Sequence, residues 1–140
     1  SLIVGGLKVG MNVAVATPDG YKPDGAVLEF TKGYGDKFAL ETDPFMAASG
    51  ADILITDTWT SMGEEAEKEE RKKIFKDYQI NRQLLAAANA GAMIQHCLPA
   101  YRGQEITEEV FEEHADEIFN EAENRLHAQK AVMVKLMKKD

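Results

Sequence analysis

The chain has 140 residues, with 16 Lys and Arg against 24 Asp and Glu for a formal charge of −8, and 44% of its residues are hydrophobic. That is one domain's length with apolar residues enough for a core, which excludes disorder along the whole chain. The single cysteine, Cys97, excludes an intrachain disulfide, and three scattered histidines leave no zinc-ligand spacing, so no structural metal is expected.

Net negative charge repels a nucleic-acid backbone, and no apolar run approaches the roughly 18 residues of a membrane span. Ser1 to Gly10 has neither the charged start nor the cleavage site of a secretory signal, and no initiator Met precedes it. The chain therefore reads as soluble and cytoplasmic, without a nucleic-acid or membrane partner.

Taken in order, Ser1 to Gly10 predicts a helix with Leu2, Ile3 and Leu7 on one side and Gly10 as its stop. Asn12 to Ala16 predicts a strand, and the Pro and Gly of Thr17 to Gly20 a turn. A helix near Asp24 to Lys32 and a strand near Phe38 to Leu40 follow, and then a helix from Pro44 to Ser49 capped by Asp43. Asp52 to Thr56 is an unbroken apolar run, the pattern of a strand covered on both faces. Glu64 to Lys76, with five acids and five bases, predicts an exposed helix. Tyr78 to Ile80 reads as a brief strand, Asn81 as the cap of a helix through Ala88, and Ala92 to Gln95 as a second buried strand ending at His96-Cys97-Leu98-Pro99. From Glu105 to Glu123 there are nine acids and no Lys or Arg. A short helix from Thr107, a strand at Ile118-Phe119 and a helix from Glu121 to about Met137 close the chain.

Strands alternating with helices predict a single α/β domain over residues 1–140, a three-layer parallel sheet with helices on both faces. Ligands of such sheets bind beyond the carboxyl ends of the strands. Four segments are placed there: Thr17-Pro18, Asp57 to Gly63, His96 to Arg102, and Glu121 to Arg125.

Ser61 and Glu64 fit a capping box and need no further role on that reading, whereas Asp57 at a strand end can hold a cation while the helix start beyond Ser61 holds a carboxylate, the two charges of an amino acid. Trp59 reads as packing. Cys97 is either a small buried hydrophobe or a thiol polarised by cationic neighbours. Adjacent strand residues point to opposite faces, so His96 and Cys97 do not form a nucleophilic dyad. Arg125, in the first turn of its predicted helix, opposes the dipole there, and either pairs with Glu121 or aims its guanidinium at a phosphate or carboxylate.

Asp57-Thr-Trp-Thr-Ser-Met-Gly63, His96-Cys-Leu-Pro99 and Glu121-Ala-Glu-Asn-Arg-Leu-His-Ala-Gln-Lys130, in this order and spacing and with Ala16-Thr-Pro-Asp-Gly-Tyr21, resemble the ornithine carbamoyltransferases. The resemblance covers essentially the whole chain and implies the C-terminal, ornithine-binding half of a family member, Rossmann-like with its first strand missing. It implies transfer of a carbamoyl group from carbamoyl phosphate to the δ-amine of L-ornithine, giving citrulline and phosphate, with no metal or organic cofactor. Asp57, Ser61 and Met62 match the ornithine-binding loop, Cys97 and Leu98 match residues beside the reacting groups, and Arg125 matches a carbamoyl-phosphate ligand. Asp57 and Cys97 are the catalytic candidates, because an amine with a pKa near 10 must lose a proton before attack and a carboxylate with a thiol can orient it and take that proton. Arg125 and loop amides then stabilise the developing oxyanions, each worth on the order of 3 kcal/mol.

The family's Ser-Thr-Arg-Thr phosphate-binding loop and Gly-Asp-Gly-Asn-Asn turn are not in this sequence. The resemblance therefore implies a missing N-terminal partner half, an intact homotrimer, and inactivity of these 140 residues alone. Two other readings stand beside it: a noncatalytic amino-acid-binding or assembly domain, and a carbamoyltransferase for another amine such as putrescine. In the family the closing helix reaches back to the N-terminal half, so the Leu126, Met133, Met137 stripe is expected to lack its normal cover here and to favour self-association.

Overall fold

A computed structural model describes residues 1–60 and 68–138. Helix α1 (Leu2–Lys8) stops at Gly10, whose φ of 91° is the left-handed conformation glycine adopts without a Cβ penalty, and leads into β1 (Val13–Ala16). Asp24 caps α2 (Gly25–Thr31) by accepting the Ala26 N–H at 2.8 Å, and a 3-10 segment over Lys32–Lys37 carries the chain into β2 (Phe38–Glu41). Asp43 caps α3 (Pro44–Ala48) in the same way through Phe45, with Pro44 where its missing N–H leaves no bond unmade. Next come β3 (Ile53–Thr56), α4 (Lys68–Phe75), α5 (Arg82–Leu85) capped by Asn81, β4 (Met93–His96), α6 (Glu108–Glu113) capped by Thr107, and α7 (Ala115–Met137).

The four strands form two parallel ladders. In one, β1 pairs with β2 from Val13 opposite Phe38 to Ala16 opposite Glu41, and in the other β3 pairs with β4 from Ile53 opposite Met93 to Thr56 opposite His96. Parallel partners require a crossover, which α2 and the following 3-10 turn supply for the first ladder and α4 with α5 for the second. Among the described residues no ladder joins the two pairs, so the single sheet expected from the sequence is observed as two separate two-stranded ladders.

The core lies under β3 and β4. Leu54 and Ile94 from those strands pack with Leu84, Ile106, Val110 and Ile118, all below a tenth exposed. Burying each such side chain contributes about 1.5–3 kcal/mol. The first turns of α7 rest directly on β4, where Glu117 accepts the Ile94 N–H at 2.8 Å.

Two expected strands are absent. Ile118-Phe119 lies inside α7, where Asp116 and Glu117 favour a helix N-terminus and Ile118 faces the core while Phe119 stands 55% exposed. One apolar dipeptide in an acidic tract carries no alternation, so its β-propensity does not decide its conformation. Lys76–Tyr78 is a 3-10 turn rather than the start of a strand, and Ile80 keeps only a one-residue bridge to Ile106. The helix after Asn81 ends at Leu85, short of the expected Ala88. Residues 64–67 of the expected acidic-basic helix lie outside the described residues.

Candidate functional site at the ends of β3 and β4

Because Thr56 and His96 are partners in a parallel ladder, the residues that leave the two strands, Asp57 and Cys97, emerge side by side. The Cys97 thiol and the Asp57 carboxylate lie within 4.8 Å of each other, and Asp57 Oδ1 accepts the Thr58 N–H at 2.7 Å. Both residues are exposed, so the pair is open to a ligand. Desolvation by the surrounding chain, then the neighbouring Asp57 carboxylate, then the more distant charge of Glu121, push the Cys97 pKa up to about 11. The thiol therefore keeps its proton at neutral pH and faces Asp57 as a donor. Cys97 is thus neither the buried hydrophobe nor the cation-polarised thiol that its sequence context suggests, since it is exposed and its charged neighbours are acids. A thiol held protonated is a poor nucleophile and a poor base.

His96 serves a different purpose from its neighbour. It is fully buried, its Nδ1 accepts the Leu98 N–H at 3.0 Å, and its Nε2 faces Glu105 Oε1 at 3.1 Å. Accepting at Nδ1 fixes the tautomer, so the ring proton sits on Nε2 and is donated to Glu105. Glu105, also fully buried, accepts the Tyr101 N–H through the same oxygen, while its Oε2 is buried without a partner among the described residues. This brace holds the turn that carries Cys97, Leu98 with its φ of 56°, and the cis Leu98–Pro99 bond. Leu98 packs against the core. In the sequence nothing marks Glu105 as one acid among nine; the buried neighbour Ile106, bridged to Ile80, is what turns it inward.

Trp59 is packing, stacked on Phe75 at 6.1 Å with its carbonyl accepting from Arg71 at 3.3 Å. Ser61 and Met62, the other expected ornithine ligands, and the Ser61–Glu64 capping box lie outside the described residues. Arg125 is exposed on α7, in mid-helix rather than in a first turn, and of its two readings the ion pair with Glu121 is not formed. Glu121, one turn earlier, has Oε2 buried without a partner among the described residues. The structure thus brings Asp57, Cys97 and Leu98 together, sets Glu121 within electrostatic reach of Cys97, and leaves Arg125 one helical turn farther along α7.

Asp57, His96 and Cys97 present ligand atoms within 4.8 Å of one another. As a metal set they fit poorly, because both His96 nitrogens are already engaged and a metal would have to displace Glu105 or the Leu98 amide. Among the described residues no helix is long and apolar enough to cross a membrane.

These features define a parallel α/β domain that presents a carboxylate and a protonated thiol at the ends of two adjacent strands. Residues 1–136 match the family described as aspartate/ornithine carbamoyltransferase, Asp/Orn binding domain, and the chain belongs to that family. It is 55% identical to the ornithine carbamoyltransferase of Gloeobacter violaceus over 98% of its own length and 45% of the relative's. Among solved structures it superposes on the anabolic ornithine carbamoyltransferase of Campylobacter jejuni with a TM-score of 0.91 at 43% identity, covering 97% of this chain and 46% of the other. On the Gloeobacter violaceus enzyme the TM-score is 0.84 at 49% identity, covering 99% and 47%. The chain spans about half the length of the relatives it matches.

Proposed function

We propose that this chain is the amino-acid-binding half of an ornithine carbamoyltransferase. The observation that carries the reading is the Asp57–Cys97 pair at adjacent strand ends, in a chain half-identical to enzymes of that name. Asp57 receives the δ-ammonium of L-ornithine, and Ser61 and Met62 bind the remainder of the amino acid. Asp57 takes one amine proton, the freed nitrogen lone pair attacks the carbonyl carbon of carbamoyl phosphate, and the bond from that carbon to the phosphate oxygen breaks. The electron pair leaves with the phosphate, which takes the second proton from the attacking nitrogen, and citrulline and inorganic phosphate remain.

Cys97, protonated, orients Asp57 by donating to it and forms no covalent intermediate. Leu98 positions the carbamoyl group, and Arg125 stabilises charge on the leaving phosphate. The intact protein is a cytoplasmic homotrimer in which an N-terminal half supplies the other carbamoyl-phosphate contacts. An assay of citrulline formation tests this, run on the 140 residues alone and on the same residues fused to the N-terminal half of the Gloeobacter violaceus enzyme. Turnover is expected only in the fusion, and with ornithine rather than putrescine. Ornithine binding without turnover in the fusion would instead identify a noncatalytic binding domain, and preference for putrescine another acceptor.

A further inference from the structure

Among the described residues His96 and Glu105 are the two fully buried titratable side chains, and the proposed transfer uses neither. Glu105 is fixed from outside the turn it supports. Its carbonyl accepts the Ile80 N–H at 2.9 Å, the Thr107 N–H donates to the Ile80 carbonyl at 3.0 Å, and the Gln79 side-chain amide donates to the Gln104 carbonyl at 2.6 Å. The segment before α5 therefore holds the backbone on both sides of Glu105. From that anchor one carboxylate oxygen, Oε1, accepts from both His96 Nε2 and the Tyr101 N–H, while Oε2 meets no donor among the described residues. Everything the Glu105 side chain does for the turn passes through a single acceptor atom.

We propose that Glu105 is a positioning residue for the carbamoyl transfer: by holding the His96 ring proton on Nε2 it keeps Nδ1 free to accept the Leu98 N–H, and that bond holds Cys97 and Leu98 in the geometry the reaction needs. The inference rests on the proposed function, in which Leu98 places the carbamoyl group and Cys97 stands beside Asp57. A neutral imidazole carries its proton on either nitrogen, and the partner of one nitrogen decides the state of the other. With the proton on Nδ1, two donors would face each other across the 3.0 Å between that nitrogen and the Leu98 amide, and the turn would have to open. The bond matters because Leu98 has a φ of 56°, a left-handed conformation that an L side chain keeps only where its surroundings hold it. Pro99, which follows, has no N–H to offer in place of that bond. A buried carboxylate thus sets the path of the chain from β4 to Tyr101 without touching a substrate.

Ring-nitrogen spectra and kinetics test it together. In the 140-residue chain, long-range proton–nitrogen NMR of the His96 ring is expected to show Nε2 protonated and Nδ1 bare, and Glu105→Leu, which keeps the bulk and loses the acceptor, is expected to move the proton toward Nδ1. In the fusion with the N-terminal half, Glu105→Leu is expected to lower kcat about a hundredfold and raise the KM for carbamoyl phosphate about tenfold, while the KM for L-ornithine stays within about twofold. Loss of folded protein alone lowers turnover and moves neither KM, and Val110→Ala, which opens the same core away from the turn, is the control for it. Where Glu105→Leu fails to fold, Glu105→Gln carries the test: its one side-chain oxygen takes both donors, so the tautomer and both KM values are expected to match those of the unaltered protein. An unaltered ring protonated at Nδ1, a Glu105→Leu enzyme with losses no different from those of Val110→Ala, or a Glu105→Gln enzyme with a raised KM for carbamoyl phosphate would overturn the proposal. An unaltered fusion without turnover would overturn the transfer reading and this inference with it, and is told apart from a failure of Glu105 alone because the ring proton is read without substrate.

Discussion

The two ladders are built alike, four parallel residue pairs joined by a helical crossover, yet they differ in what lies beneath them. In β3 and β4 Leu54, Ile94 and His96 are buried, whereas no residue of β1 or β2 is, and Ala14 is exposed. The difference shows where a strand end can hold a reactive geometry. Asp57 and Cys97 leave strands clamped by a closed core and by the His96–Glu105 brace, while the turn after β1 leaves a ladder with no buried residue of its own.

Ile94→Ala is expected to remove the most stability, about 4 kcal/mol, because it opens a cavity at a fully buried position, and a shift in the denaturation midpoint by urea would measure it. Glu105→Ala follows at about 3 kcal/mol, since the Tyr101 N–H and the His96 Nε2–H would both be left buried and unpaired. The same variant should shift the amide resonances of residues 97–101 while leaving β1 and β2 unmoved.

Thiol chemistry comes next in size. With its pKa raised to about 11, Cys97 has few thiolates at neutral pH, so iodoacetamide should modify it roughly tenfold more slowly than an ordinary cysteine once the greater nucleophilicity of each thiolate is counted. The rate should climb with pH through the range where a free thiol has already levelled off, up to about 11. Asp57→Asn leaves desolvation, the largest cause, in place but removes the Asp57 charge, and should bring that profile part of the way down the pH axis. The smallest effect belongs to the other ladder: Val15→Ala should cost about 1 kcal/mol or less, since the residue is only half-buried, and a loss equal to that of Ile94→Ala would erase the distinction between the ladders.

How much of this is legible in the sequence depends on whether a feature is local. The caps at Asp43 and Asn81, the helix starts near Asp24 and Thr107 and the stop at Gly10 are set by backbone chemistry within a few residues, and each acts where the local pattern puts it. Asp57 and Cys97 can be placed at one edge because each follows an apolar strand and parallel neighbours end together. Glu105 is invisible in the sequence because its burial comes from a bridge between segments far apart along the chain, Ile80 and Ile106. Ile118-Phe119 misleads for the same reason, since only contact with β4 and α6 decides that those residues continue a helix. Arg125 and Glu121 sit one turn apart as a pairing rule requires, but Glu121 turns an oxygen inward and the pair is not made.

Everything proposed for the reaction rests on Asp57 receiving the acceptor amine, and steady-state kinetics of Asp57→Asn in the fusion with an N-terminal half gives the sharpest test. The kcat/KM for L-ornithine is expected to fall on the order of a thousandfold while the KM for carbamoyl phosphate stays within about twofold. An Asp57→Asn enzyme with unaltered kcat/KM for ornithine, or one that loses both substrates equally, would show that the amine is held elsewhere.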